Sequence, residues 1–177
     1  DDIIIGETGR YFNANPNGDY SGESYVVFGK ATGYSASLEL SSLNGTNGFV
    51  INGIDEGDYS GESMSSAGDI NNDGYDDIII GAWGADPNGD DSGESYVVFG
   101  KATGYSASLD LSALDGTDGF VINGIDGDDH SGFSVSSAGD INNDGYDDII
   151  IGAHSADPNG DYSGESYVVF GKASGYS

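Results

Sequence analysis

The 177-residue sequence has no cysteine, and it sets 31 acidic side chains against 4 basic ones for a formal net charge of −27. This excludes disulfides and thiolate chemistry, and it disfavours nucleic acid and anionic membrane surfaces, which are bound through clustered Lys and Arg. Acidity of this order would suggest a disordered chain, but an aromatic content of 11% and recurrent apolar runs argue for a packed fold, and no run approaches the ~20 apolar residues of a spanning helix.

In chain order, the first segment with helical character is Ala36–Leu43, short and serine-rich, good for no more than a helical turn. Short strands are predicted at Phe49–Ile54, Ser63–Ala67, Asp77–Ile80 and Tyr96–Phe99, where residues are β-branched, aromatic or small and alternating. Asn-Gly, Asp-Gly, Ser-Gly and Pro-Asn-Gly turns separate them.

The same series then repeats. Residues 31–101 align without gaps to residues 102–172, a period of 71 (102 − 31), with 12 differences and therefore 59 identities. Residues 1–30 match residues 76–101 with four extra residues near Arg10–Asn13, and residues 173–177 begin a further copy. The chain thus opens and closes in mid-repeat and without an initiating methionine, which is expected of a window on a longer array.

Four short strands per unit joined by tight turns describe a blade of a β-propeller, a small antiparallel sheet that buries its faces against its neighbours. The chain is therefore expected to be all-β, just under three blades, divided at 1–54, 55–125 and 126–177, with the first and last incomplete. A linear β-solenoid is the rival architecture, although its coils are usually shorter than this period.

The loop Asp69-Ile-Asn71-Asn-Asp73-Gly-Tyr75-Asp-Asp77 carries the most legible chemistry. Calcium takes about six to eight oxygens, and donors at alternate positions direct them to one centre. Asp69, Asn71, Asp73 and Asp77 offer side chains at positions 1, 3, 5 and 9 and Tyr75 a carbonyl at position 7, while Gly74 stands where the chain turns sharply and a side chain would obstruct it. The set recurs at Asp140, Asn142, Asp144, Tyr146 and Asp148, and Asp2 is the last ligand of a further loop. A plain Asn-Asp-Gly turn would not need three mutually repelling carboxylates. Position 12 is Ile80 and the flanks read as strands, so the loop is not an EF-hand.

A second set of alternating oxygens, Asp86, Asn88, Asp90 and Glu94, with its copy Asp157, Asn159, Asp161 and Glu165 and an altered version at 15–23, is a candidate second cation site, although Pro-Asn-Gly is a turn signal in its own right.

The unit from Ser66 to Ala82, followed by Ser95-Tyr-Val-Val-Phe-Gly100, resembles the FG-GAP repeat of integrin α-subunit propellers and bacterial surface proteins. Phe99-Gly100 and Gly81-Ala82 are its two namesakes, while Trp83 and His154 stand where that family often has proline. The resemblance implies a calcium loop between the innermost strand of each blade and the second. It also implies a secreted or cell-surface setting and loops on the opposite face that bind extracellular protein or glycan.

No catalytic constellation is apparent. The residues that break the repeat are few: His130 for Tyr59, His154 for Trp83, Phe133 for Glu62, and Arg10 in the insertion. Neither histidine has a cysteine or paired base nearby in sequence, and Gly93-Glu-Ser95 is not a nucleophile elbow. The expectation is a non-enzymatic, calcium-bound module. Its rivals are a filament or stalk whose open blade edges pair between chains, and a non-catalytic propeller joined to an enzyme.

Overall fold

The computed structural model describes residues 2–8, 17–33 and 35–176; Arg10 with the rest of the first-copy insertion, and the start of the altered loop at 15–16, lie outside the described residues. The strands are β1 (Ile3–Glu7), β2 (Glu23–Val27), β3 (Gly48–Asn52), β4 (Ser63–Gly68), β5 (Asp77–Ala82), β6 (Glu94–Val98), β7 (Ser108–Asp110), β8 (Gly119–Asn123), β9 (Ser131–Gly139), β10 (Asp148–Ala153) and β11 (Glu165–Val169). The protein is all-β and forms blades of a partial propeller. The helical turn expected within Ala36–Leu43 is a single 3₁₀ turn, Leu40–Ser42, repeated at Leu111–Ala113.

The middle sheet has the order β4-β5-β6-β8, antiparallel throughout. The third sheet, β9-β10-β11, repeats its first three strands, and β1-β2-β3 repeats its last three. One strand has no precedent in the sequence reading: β7 pairs in parallel with β3, so the segment between β6 and β8 reaches back to extend the preceding sheet.

Why Ile78-Ile79-Ile80 is apolar at every position follows from the packing. Successive residues of a strand face opposite sides. Ile80, Tyr96 and Val98 join Val26, Phe49 and Ile51 in the core between the first two sheets. Ile79 and Val97 join Phe120, Val135, Ile149 and Ile151 in the core between the second and third. The middle sheet is thus buried on both faces and cannot show a polar alternation.

The sheets approach closely at Gly81, where an added Cβ would lie 1.9 Å from the carbonyl oxygen of Gly132. Strand direction then sorts the loops. Residues 69–76 and 140–147 lie at one end of the sheets, with the β6–β8 connection. The β5–β6 turn and the connections entering β4 and β9 lie at the other.

Candidate functional site

Each acidic loop is a set of side-chain to backbone hydrogen bonds. The Asp69 carboxylate accepts from the N–H groups of Asp73 and Gly74, both at 2.9 Å, Asn71 Oδ1 accepts from Asp73 N–H at 2.9 Å, and Asp73 Oδ1 accepts from Tyr75 N–H at 3.0 Å. Asp140, Asn142, Asp144 and Tyr146 repeat the pattern at 2.9–3.0 Å. Gly74 has φ +93°, yet an added Cβ would meet nothing within 4 Å. Glycine is required there by its backbone conformation, and not by the crowding expected from the sequence.

The last loop residue connects the loop to the sheet. Asp77 accepts from Ile70 N–H at 3.0 Å and Gly100 N–H at 2.8 Å, and Asp148 accepts from Ile141 N–H at 3.0 Å and Gly171 N–H at 2.9 Å. Asp2 accepts from Gly29 N–H at 2.7 Å, the same bond in the first copy. This explains the Phe-Gly pair: a Cβ on Gly100 would sit 2.4 Å from the Asp76 carbonyl oxygen, so only glycine brings its N–H to that carboxylate.

Asp77 is 1% exposed. Burial, with the nearby charges of Asp73 and Asp69, pushes its carboxyl up to about 7 despite the two backbone donors. Each of these oxygens keeps a second lone pair, and the donors are hard oxygens without a basic side chain among their hydrogen-bond partners, which is the donor chemistry of a calcium site. The carboxylates are not gathered on one point, however: among the described residues no group of three or more His, Asp or Glu side chains stands at metal-holding separation.

One contributor is absent from the sequence reading. Asp147, which precedes the last residue of the third-sheet acidic loop pattern, reaches the second-sheet loop, where its Oδ2 accepts from Asp69 N–H at 2.9 Å. The Ile70 carbonyl accepts from Lys172 N–H at 3.0 Å and from the Tyr176 hydroxyl at 2.9 Å. The doubled acid at 76–77 and 147–148 was the available signal, because the loop pattern needs only the second of each pair.

The Asp86–Glu94 loop is folded as a turn. Asp86 Oδ1 accepts from Asp91 N–H at 2.7 Å, and the Asn88 side chain donates to the Gly124 carbonyl at 2.7 Å. Glu94 accepts from the Tyr96 hydroxyl, and Asp90 offers its carbonyl to Asp128 N–H at 2.7 Å. In the third sheet Asp157 accepts from Tyr162 N–H, Asn159 N–H donates to Ser163 Oγ at 3.2 Å, and Glu165 accepts from Tyr167 at 2.6 Å. Asp161 lies exposed in this turn.

At the end opposite the acidic loops, the residues that break the repeat form a row. Tyr59 stacks on Trp83 with centroids 4.6 Å apart at 6°, and Tyr20 lies 5.4 Å from Tyr59. Trp83 meets His130 edge-on at 5.2 Å, and Phe133 and His154 are 4.2 Å apart. Trp83 Nε1 donates to Glu62 at 2.8 Å. The row is partly open, with Tyr20 36% and Phe133 42% exposed. Five of the 12 positions that differ between copies, 59, 62, 83, 84 and 91, contribute residues to it or to its polar contacts.

His130 Nδ1 lies 2.9 Å from Ser155 Oγ, whose other neighbour is His154 Nε2 at 3.3 Å. Ser155 is 7% exposed, and Asp91 stands 3.9 Å from His130 Nε2, beyond hydrogen-bond reach. This group ties the His130 and His154 turns together, with no hydrogen bond between Asp91 and the His130 ring.

Repeated sheets of this order, with an acidic loop between the first and second strands of the middle and third sheets, define a segment of a repeat-built β-propeller. Residues 60–98 and 131–169 match the FG-GAP repeat model, so the chain carries FG-GAP repeats at these two positions. It is 34% identical over 98 residues to integrin alpha-IIb of Mus musculus (53% of this chain, 8% of the relative). Integrin alpha-6 of Gallus gallus is 33% identical over 108 residues (60% and 9%). Phosphatidylinositol-glycan-specific phospholipase D of Mus musculus is 33% identical over 115 residues (63% and 13%). The chain therefore spans about a tenth of the length of these relatives. Among the described residues no helix is long and apolar enough to cross a membrane.

Proposed function

We propose that this chain is a calcium-braced propeller module of a secreted or cell-surface protein, non-catalytic itself, whose aromatic end binds extracellular protein or glycan. The observation that carries the binding face is the gathering of non-repeated residues in the Tyr20-Tyr59-Trp83 row. The repeated residues build the blade, whereas the aromatic residues and histidines peculiar to one copy stand together at one end of it. Aromatic faces rimmed by acids such as Glu62 and Asp91 suit sugar rings and polar protein loops.

Calcium is supported by the oxygen-only donors of the two loops and by the buried Asp77 and Asp148 carboxylates. Asp69, Asn71, Asp73 and Asp77 would hold one ion, with the Tyr75 carbonyl, and Asp140, Asn142, Asp144 and Asp148 a second, with the Tyr146 carbonyl. Bound to the folded loops alone, calcium stabilises by mass action. The ion would draw together carboxylates that otherwise bond only to backbone N–H groups and to the Asn71 and Asn142 side-chain amides.

Two measurements test this. Chelation lowers the melting temperature, and calcium restores it in preference to magnesium; identical melting curves with and without chelator would remove calcium from the proposal. Trp83, the only tryptophan, reports on the other end. Its fluorescence is expected to respond saturably to soluble oligosaccharides or an extracellular protein ligand, and Trp83→Ala to lose that binding while keeping the calcium response.

A further inference from the structure

One difference between the repeats falls on an exposed turn and creates a motif that occurs once in the chain. Asn44-Gly45-Thr46 is an Asn-x-Thr acceptor sequence for N-linked glycan, and no other asparagine has Ser or Thr two residues on. Its counterpart, Asp115-Gly116-Thr117, has a carboxylate in place of the amide.

The fold of the turn presents that amide. Asn44 Oδ1 accepts from Thr46 N–H at 2.9 Å and from the Thr46 hydroxyl at 2.6 Å. The backbone is closed by Gly45 N–H, which donates to the Gly48 carbonyl at 2.8 Å, and by Asn44 N–H, which donates to Asn47 Oδ1 at 3.0 Å. With its oxygen held twice, the Asn44 side chain leaves Nδ2 without a hydrogen-bond partner among the described residues. Neighbouring asparagines use theirs: Asn47 donates to the Ser42 carbonyl at 3.2 Å and Asn52 to Asp110 at 2.7 Å.

Exposure is a property of the turn itself. Asn44 and Thr46 are exposed although the next repeat packs against Gly45, where an added Cβ would lie 2.3 Å from the Tyr105 carbonyl oxygen. Asp115 is exposed with the first sheet packed against its own. The turn leads from β2 to β3 at the acidic-loop end, so a substituent on Asn44 leaves the Tyr59–Trp83 row at the opposite end open.

We propose that Asn44 carries an N-linked glycan. In a membrane-bound oligosaccharyltransferase, Nδ2 is joined to the anomeric carbon of the first sugar of an oligosaccharide carried on a polyprenyl diphosphate. The bond from that carbon to the diphosphate oxygen breaks, its electron pair leaves with the polyprenyl diphosphate, and Nδ2 gives up one proton; nothing is oxidised or reduced. Asp115 has no nitrogen to offer, so the second repeat stays unmodified. The inference rests on the proposed secreted or cell-surface setting, because the transfer takes place on the side of a membrane away from the cytoplasm.

The test is peptide mapping by mass spectrometry of the full chain purified from its own source, with cytoplasm kept apart from cell surface and medium. The peptide containing Asn44 is expected to carry a carbohydrate mass that peptide-N-glycosidase removes in heavy-oxygen water, leaving labelled aspartate at that position. In the same cells Asn44→Gln and Thr46→Ala lose the glycan, Thr46→Ser keeps it, and Asp115→Asn gains a second one. All three positions are exposed, so the variants keep the fold. Unmodified Asn44 in chain recovered from the surface or medium overturns the proposal and leaves the setting intact, whereas chain confined to the cytoplasm overturns both. A carbohydrate mass that survives Asn44→Gln places the glycan elsewhere and overturns the proposal as well.

Discussion

Asp147 and Asp69 are 78 residues apart, and the carboxylate of the first accepts a 2.9 Å hydrogen bond from the backbone N–H of the second. The loop of one blade is thereby held by the loop of the next, and the bond is doubled by Asp147 N–H, which donates to the Asp69 carbonyl at 3.3 Å. Asp147→Ala leaves the Asp69 N–H without its acceptor and is expected to cost about 1–3 kcal/mol, a fall in melting temperature of several degrees. Asp147→Asn keeps an acceptor oxygen and costs less. Thermal denaturation in excess chelator checks both without interference from an ion.

A pair of substitutions separates the ion from the fold it braces. Asp77 is buried and accepts from both Ile70 and Gly100, so Asp77→Ala leaves two N–H groups unpaired, about 1–3 kcal/mol each, with or without calcium. Asp73 is exposed, and its partners Tyr75 N–H and Asn71 lie in the same surface turn. Asp73→Ala is expected to change stability in chelator by no more than about 1 kcal/mol while removing the calcium-dependent gain of that loop. Melting curves at matched calcium concentrations distinguish them; an undiminished calcium gain in Asp73→Ala would argue against this ligand set.

How much of this was legible in the sequence divides along physical lines. The period, the strands and the nine-residue loops were legible because their causes are local: β-branched runs, turn residues and alternating oxygens within a few positions. Strand β7 was not, because Ser108–Asp110 and residues 37–39 carry almost the same sequence, and only the first lies beside a free edge. The role of Asp147 was hidden in a doubled acid whose partner is in another blade. The singletons His130, Phe133 and His154 were visible one by one, but the meeting of His130 and Phe133 with Trp83, and of His154 with both, depends on how successive sheets pack.

Glycine positions give a contrast in mechanism. At Gly81 an alanine Cβ would fall 1.9 Å from the Gly132 carbonyl oxygen, a clash with backbone that only separation of the second and third sheets relieves. Gly81→Ala is expected to cost several kcal/mol. At Gly74 the space is open and only the φ of +93° opposes a side chain, so Gly74→Ala costs about 1 kcal/mol. Equal losses of melting temperature for the two would contradict the inter-blade contact at Gly81.

Asp58 sets a pH dependence whose sign can be worked out. It is 6% exposed, and burial pushes its carboxyl up to about 6, with Asp55, Glu94 and Asp86 adding repulsion and the Asp55 N–H, at 3.0 Å, opposing it. A carboxyl that holds its proton more tightly when folded favours the folded state while protonated. Its contribution is therefore fully present below the unfolded value of about 4 and is lost as pH rises through about 6. Asp58→Asn keeps an oxygen for the Asp55 N–H and removes the charge. The variant is expected to match the wild type near pH 4 and to exceed it by about 1–2 kcal/mol above pH 6.5 in chelator. The difference between the two denaturation profiles isolates this carboxyl from the other acids, and a difference that does not grow between pH 4 and 6 would mean that Asp58 is no harder to ionise in the folded blade than in the unfolded chain.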